Sequence, residues 1–199
     1  KQLIYAVTGR TVGFGKLPHD VGVCVQNVHT ALTLCYAVER GETSYRRVVT
    51  VSGDAATDPK NLWVRAGTLF SELAAYCGAT EEGTAAAISG GPMMGIALPT
   101  LEFAAGKTTA ALLLFSQEKA KAKPVTQCIN CARCARVCPM HLMPMYIEQC
   151  TKAGDFAGAK RYGAEYCISC GCCTYVCPTR RPIVDLIPAA KKGIREKKL

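Results

Sequence analysis

Apolar and polar positions change rhythm several times along the chain. Leu3 to Val7 is a short apolar run that reads as a strand. Gly9, Gly13, Gly15, Pro18 and Gly22 then punctuate a loop, and Val21 to Val25 reads as a second short strand. Ala31, Leu34, Cys35 and Val38 fall at i, i+3, i+4 and i+7, the spacing of one helix face, with Asn27 to cap the helix and Gly41 to close it. Val48, Val49 and Val51 open a strand that stops at Gly53-Asp54. Leu62 to Val64 is another, and the lone Trp63 within it is expected in the core. Thr68 caps a helix over Leu69 to Tyr76, with Gly78 beyond its end. Ser89 to Gly95 is a tight glycine turn, and Thr109 to Phe115 a closing strand. Together, 46–115 read as a small strand-rich α+β unit with one helix.

The rhythm is different after Phe115. Ser116 to Val125, with Lys119, Lys121, Lys123 and Pro124, reads as a solvated linker. Pro144 opens a helix that Gly154 ends, and Asp155 caps another that Gly163 ends. Pro182 opens a last helix with Ile183, Ile187, Ala190 and Ile194 on one face, which Pro188 should kink or shorten. No stretch approaches the eighteen apolar residues of a membrane span, so no direct span is expected. The start at Lys1-Gln2-Leu3, with neither Met nor a signal pattern, reads as a piece of something longer.

Charge divides the chain at the same place. Residues 1–115 hold nine Lys/Arg and nine Asp/Glu, so the net +9 lies wholly in the later part. A basic half raises the question of nucleic acid, but no recognition element accompanies it. The tail after Ala190 is basic enough to touch anionic lipid or an acidic partner, and a solvated end accounts for it more simply. Gly13-Phe14-Gly15-Lys16 lacks the first glycine of a phosphate loop, and Gly90-Gly91-Pro92 fits no dinucleotide fingerprint.

Ten of the thirteen cysteines lie between Cys128 and Cys177, too closely spaced for a disulfide framework. Cys128-x2-Cys131-x2-Cys134-x3-Cys138-Pro139 recurs as Cys167-x2-Cys170-x2-Cys173-x3-Cys177-Pro178, at an offset of 39 residues. This is the spacing of two-cluster bacterial ferredoxins, in which the fourth cysteine of each motif ligates the other cluster. One [4Fe-4S] cluster is therefore assigned to Cys128, Cys131, Cys134 and Cys177, and the other to Cys167, Cys170, Cys173 and Cys138. Such clusters carry roughly −2 each when oxidised, so part of the basic excess balances buried charge. Zinc is the rival metal, but zinc ribbons take their ligands as two Cys-x2-Cys pairs rather than as three in a wrap and one before proline. The 28 residues between Cys138 and Cys167 exceed a minimal hairpin ferredoxin and point to a helical one.

Some residues fall outside the pattern. Cys172 and Cys150 read as spare thiols, and Cys24, Cys35 and Cys77 as small buried hydrophobes. His19, His29 and His141 stand in no ligand pair, and His141 is a candidate modulator of a cluster. Ile129, Val137, Ile168 and Val176 are expected to shield the clusters.

Arg47 to Asp54, Trp63 to Thr68, Gly90 to Gly95 and the doubled cysteine motif, in that order, resemble the C subunit of the Rnf electron-transport complex. The resemblance implies the end of a flavin- and NADH-binding α/β domain over 1–45, a soluble-ligand-binding β-grasp (SLBB-type) domain over 46–115, a linker over 116–127 and an α-helical two-cluster ferredoxin domain over 128–199. It implies electron transfer that couples ferredoxin oxidation and NAD reduction to Na+ or H+ translocation. The implied setting is peripheral, on the cytoplasmic face of a bacterial membrane, with other subunits and a redox protein as partners. FMN and NAD(H) would serve the full-length subunit, not this part by itself. Gln26-Asn27-Val28-His29-Thr30 resembles a segment that contacts FMN in the related flavin-and-NADH component of respiratory complex I, which makes Asn27 the flavin candidate; capping the following helix is its simpler role. The cobalamin-reducing flavoprotein of bacterial microcompartments shares this domain series and is the alternative. A zinc-stapled module and an iron–sulfur nucleic-acid protein also stay open.

Overall fold

The computed structural model describes residues 1–13, 15–121 and 124–197. Phe14 in the glycine stretch, Ala122 and Lys123 in the expected linker, and Lys198 and Leu199 in the basic tail lie outside the described residues. Helix α1 (Gln2–Thr8) and a 3-10 turn (Pro18–Val21) precede helix α2 (Val28–Arg40). Strands β1 (Arg46–Ser52) and β2 (Lys60–Arg65) lead to helix α3 (Phe70–Tyr76). Strands β3 (Ala86–Ser89), β4 (Ile96–Leu98) and β5 (Ala111–Phe115) follow. Short helices α4 (Gln117–Ala120) and α5 (Arg133–Arg136) come before α6 (Pro144–Lys152) and α7 (Phe156–Arg161). Helices α8 (Cys172–Tyr175) and α9 (Ile187–Glu196) complete the order. The chain forms two compact units, 26–122 and 1–25 with 123–199. Residues 26–45, expected to end a flavin-binding domain, thus group with the sheet, and 1–25 with the cysteine-rich half.

The first unit rests on alternation. Val49 and Val51 of β1 point inward while Thr50 between them is exposed, and Leu112 and Leu114 of β5 repeat the pattern. The sheet order is β2-β1-β5-β3-β4, antiparallel throughout except for the central pair β1 and β5. A parallel pair needs a crossover rather than a hairpin, and the chain between these strands includes α3. That helix buries Phe70, Leu73 and Ala74 in one cluster with Val49, Val51, Leu112 and Leu114. Gly53, just past β1, holds φ +119 and lies so close to β5 that a Cβ there would strike the Leu114 carbonyl oxygen. Only glycine fits.

The second unit is helical. Ile147 of α6, Ala159 of α7 and Ile187, Ala190 and Ile194 of α9 share one buried cluster. Gly193 sits inside α9 because a Cβ there would meet the Phe156 ring on α7. Glu148 of α6 is buried, yet charged partners reach it: Arg181 Nε donates to Oε2 at 2.7 Å, and Lys152 Nζ lies 2.8 Å from Oε1. Burial pushes its carboxyl up, but hydrogen bonds from Arg181 and Lys152 outweigh this and hold it below the ordinary value.

Several expectations are corrected. Leu3 to Val7 lies in α1, ended by Gly9 at φ 69, since a short apolar run cannot separate strand from helix by periodicity. Val21 closes the 3-10 turn, Gly22 follows at φ 69, and 22–25 form no strand. Helix α2 forms where expected, with Asn27 and Gly41 as caps, but Leu34 is 64% and Val38 78% exposed. Cys35 on that face and Cys24 are exposed, and Cys77 alone of the three isolated cysteines is buried. Trp63 is 52% exposed; its ring lies 5.5 Å from His29 and 5.1 Å from the Arg46 guanidinium. The cap of α3 is Leu69, with no side-chain bond, instead of Thr68. Strands β3 and β4, short and containing alanines, flank the expected glycine turn and escape the sequence pattern altogether. Within 116–127 the short α4 forms, and Pro188 stands in the first turn of α9, where it starts the helix rather than kinking it.

Leu112→Ala should destabilise the sheet unit by about 2–5 kcal/mol, the range for deleting a buried leucine side chain, read by chemical denaturation. Gly53→Ala should be more damaging than Gly67→Ala, whose Cβ meets open space although both have positive φ. Glu148→Gln should destabilise the helical unit by about 3 kcal/mol, because it leaves Arg181 short of its counter-charge. Since the folded carboxyl is depressed, this stabilisation is present above the unfolded value near 4.5 and declines as pH falls through the lower folded value. Acid titration of unfolding should show that loss in the parent chain and not in the variant.

Candidate metal centre

The two cysteine motifs adopt one backbone twice. Cys128, Cys131 and Cys134 lie in a turn that runs into α5, and Cys167, Cys170 and Cys173 in a turn that runs into α8. Asn130 and Ala132 have φ 54 and 57; their counterparts 39 residues on, Ser169 and Gly171, have φ 52 and 78. His141 and Arg180, three residues beyond the fourth cysteines and again 39 apart, have φ 53 and 55. A left-handed conformation costs a non-glycine residue about 1–2 kcal/mol, so its recurrence at matched positions marks a geometry held by its surroundings. Left-handed residues in such turns let successive N–H groups face one concavity, an arrangement suited to negative charge.

Each fourth cysteine stands with the other motif. One cavity is lined by Cys128, Cys131, Cys134 and Cys177, the other by Cys167, Cys170, Cys173 and Cys138. Among the described residues, no three His, Cys, Asp or Glu side chains gather closely enough to hold a single metal ion. The thiols ring cavities instead of converging on a point.

Burial raises the thiol of Cys173 to about 11 and pushes those of Cys134 and Cys167 up as well. A buried thiol therefore needs compensation to become a ligand anion, and N–H groups supply part of it. Leu142 N donates to Cys138 Sγ at 3.4 Å and Ser169 N to Cys167 Sγ at 3.3 Å. At Cys177 burial also opposes ionisation, but the Thr179 hydroxyl, 3.2 Å from Sγ, and the N–H groups of Thr179, Arg180 and Arg181 outweigh it and lower the thiol below its ordinary value. The chemistry of this donor set fits a [4Fe-4S] cluster in each cavity: four motif thiols, largely apolar contact around the sulfurs and N–H donors to them.

Residues around the thiols break the symmetry that the thiols obey. The Cys128 cavity is lined by Arg133, Glu148, Thr179 and Arg181, whose counterparts in the Cys167 cavity are Cys172, Ile187, Met140 and Leu142. Sequence reasoning read Cys172 as a spare thiol and Ile187 as a helix-face residue, and passed over the other six. The 39-residue offset, carried past the cysteines to their neighbours, would have found each pair.

Other expected residues take definite places. Asn27 caps α2, its Oδ1 accepting from His29 N at 2.9 Å. Cys172 lines the second cavity, and Cys150 lies on α6. Ile129 and Ile168 line the cavities yet are 64% and 41% exposed, and Val137 and Val176 line neither. His141 lines a different cleft, with Lys1, Tyr5 and Met140. Among the described residues, no helix is long and apolar enough to cross a membrane.

Comparison with known proteins accords with this geometry. Residues 48–97 match the SLBB domain family and residues 127–180 the 4Fe-4S dicluster domain family. The C subunit of the proton-translocating ferredoxin:NAD(+) oxidoreductase complex of Clostridium ljungdahlii is 44% identical over 144 residues, 72% of this chain and 32% of that protein. The C subunit of the Na(+)-translocating ferredoxin:NAD(+) oxidoreductase complex of Acetobacterium woodii is 39% identical over 149 residues, 75% of this chain and 34% of that protein. The C subunit of the ion-translocating oxidoreductase complex of Rhodobacter capsulatus is 36% identical over 163 residues, 82% of this chain and 31% of that protein. The matched region thus spans about a third of the length of these curated relatives. The chain thus matches an SLBB domain followed by a 4Fe-4S dicluster domain and is similar, over about three quarters of its length, to the C subunits of these ion-translocating ferredoxin:NAD(+) oxidoreductase complexes.

Proposed function

We propose that this chain carries electrons within a ferredoxin:NAD(+) oxidoreductase complex of the Rnf type. Cys128, Cys131, Cys134 and Cys177 would hold one [4Fe-4S] cluster, and Cys167, Cys170, Cys173 and Cys138 the other. The observation that carries the proposal is that each of two separate cavities is lined by the first three cysteines of one motif and the fourth of the other, with Cys172 an additional thiol in the second. Each cluster, when bound, accepts and releases one electron. The chain's residues do no acid–base work in this role. The thiolates bind iron, the left-handed turns orient them, and the N–H groups of Leu142, Ser169 and Arg181 stabilise charge on sulfur.

Other subunits and a soluble redox protein are the proposed partners, and the proposed location is peripheral, on the cytoplasmic face of the membrane. The names of the relatives support this setting, since both the Clostridium and Acetobacterium proteins are called subunits of translocating complexes. We assign FMN and NAD(H) to the function of the full-length protein. Asn27 keeps its place as a flavin candidate through its amide N–H donors, because its carbonyl oxygen is engaged in capping α2.

Anaerobically reconstituted protein should contain about eight iron and eight sulfide per chain, four of each per cluster. Zinc without sulfide would overturn the proposal. Cys131→Ala should lose one cluster's signature, whereas Cys150→Ser and Cys172→Ser should retain both. The exchange of the fourth ligands has its own test. Residual EPR spectra should pair Cys138→Ala with Cys170→Ala and Cys177→Ala with Cys131→Ala; the opposite pairing would assign each fourth cysteine to its own motif.

A further inference from the structure

The backbone of the two thiol cavities repeats, but the walls do not. Lining positions related by the 39-residue offset carry Arg133 against Cys172, Glu148 against Ile187, Thr179 against Met140 and Arg181 against Leu142. Two guanidinium groups and one carboxylate stand in the first wall where the second has a thiol and two aliphatic side chains. Just outside the walls the lysines correspond. Lys152, which reaches Glu148, matches Lys191, whose Nζ donates to the Cys167 carbonyl oxygen at 2.7 Å. Counting these groups, the Cys128 site has formal charge +2 and the Cys167 site +1, so the first exceeds the second by one positive charge. Arg181 is within electrostatic reach of Cys128 and Cys177, and Glu148, the opposing charge, is shared between Arg181 and Lys152. Each site also has one hydroxyl beside a thiol, Thr179 at Cys177 and Thr174 at Cys173, so that contribution is matched. Solvent acts in the same direction as charge: Cys131 is exposed where its counterpart Cys170 is partly covered, and Ile129 is 64% exposed against 41% for Ile168.

Adding an electron makes a cluster site more negative by one unit. Nearby positive charge and access to water stabilise the reduced form and raise its potential; aliphatic walls do the opposite. We propose that Arg133, Arg181 and Lys152, with the greater exposure of Cys131, make the Cys128/Cys131/Cys134/Cys177 site the electron acceptor of the pair and the Cys167/Cys170/Cys173/Cys138 site its donor. One electron leaves the second site, which is oxidised, and enters the first, which is reduced; no atom or proton changes place. This inference rests on the assignment of clusters to these cysteines. It adds an order to the two sites, and it gives the Glu148–Arg181 pair a role as the polar wall that separates their potentials.

The test is an EPR-monitored dithionite titration of the full chain, reconstituted anaerobically, with iron and sulfide measured on the same sample. Cys170→Ala, which leaves the Cys128 site intact, should titrate at a higher potential than Cys131→Ala, which leaves the Cys167 site intact. Among singly reduced parent chains, at least about ten should hold the electron at the Cys128 site for each that holds it at the Cys167 site, about 59 mV for one-electron couples. Arg181→Leu with Glu148→Ile copies the aliphatic wall at matched positions. The formal count stays at +2, since one positive and one negative charge leave together, but the guanidinium that reaches Cys128 and Cys177 is lost, so the variant should keep the full iron content and shift the Cys128 site toward the more negative potential of its twin. About eight iron with equal or reversed potentials would overturn the order of the sites and leave the electron-carrier proposal standing. Absence of iron and sulfide would remove both. An unmoved Cys128 potential in the double variant, at full iron content, would remove the role of the Glu148–Arg181 wall.

Discussion

The organisation of the helical unit depends on an exchange: the four motif thiols of each cavity are completed by a cysteine from the other motif. Three cysteines in a short turn can wrap one side of a concavity, but the fourth must approach from elsewhere in space. Cys138 and Cys177 meet that need reciprocally, so neither motif closes its cavity with its own residues. Helices α6 and α7 and the 3-10 turn Ala164–Tyr166 lie between the two motifs, and α9 packs its Ile187, Ala190 and Ile194 into the same cluster as Ile147 and Ala159. The left-handed residues Asn130, Ala132, Ser169, His141 and Arg180 make sense in this frame. Their local cost is tolerated because the thiols of both motifs must face inward at once.

Within that near-duplicate frame, the chemistry has diverged. A buried ion pair is seldom the most stable filling for a protein interior, since aliphatic residues of similar volume often do as well or better. Here both solutions occur at equivalent positions of one chain: Glu148 with Arg181 in one half, Ile187 with Leu142 in the other. The aliphatic pair demonstrates that the frame accepts such a filling. Stability alone therefore gives no reason for the ion pair in only one wall, which is where the proposed difference between the two sites would arise. The sheet unit is filled differently. Its core, from Val49 and Val51 through Phe70 to Leu112 and Leu114, is wholly apolar, and its strand order follows from the parallel β1–β5 pair that α3 covers.

Much of this was legible from residue order, because the informative signals are local. Proline at the start of α6, Asp155 at the start of α7 and glycines at the ends of α2 and α7 act within a turn of the residues they control, and each helix formed where they placed it. Alternating valines and leucines likewise located β1 and β5. Local signals failed where side chains were small or where a pattern lacked a partner. Alanine-rich β3 and β4 have little periodicity, and the apolar stripe of α2, with Leu34 and Val38, is exposed despite its helical spacing. Trp63 shows the same limit: hydrophobicity suggested a core position, and the ring instead lies at the surface, tilted against His29 and under the Arg46 guanidinium.

The kind of site is written in residue order: two sets of four thiols, their spacing, the proline after each, and the helical rather than hairpin character of the span between them. Coordination chemistry imposes that spacing on contiguous residues, so it survives in one dimension. What surrounds each set is settled in three dimensions. Glu148, Arg181, Ile187 and Leu142 lie far apart in the chain and carry no motif, and they become the walls of two cavities only when α6, α9 and the segment after Cys177 pack together. Electrostatic environment depends on distance through space, and that distance is created by folding.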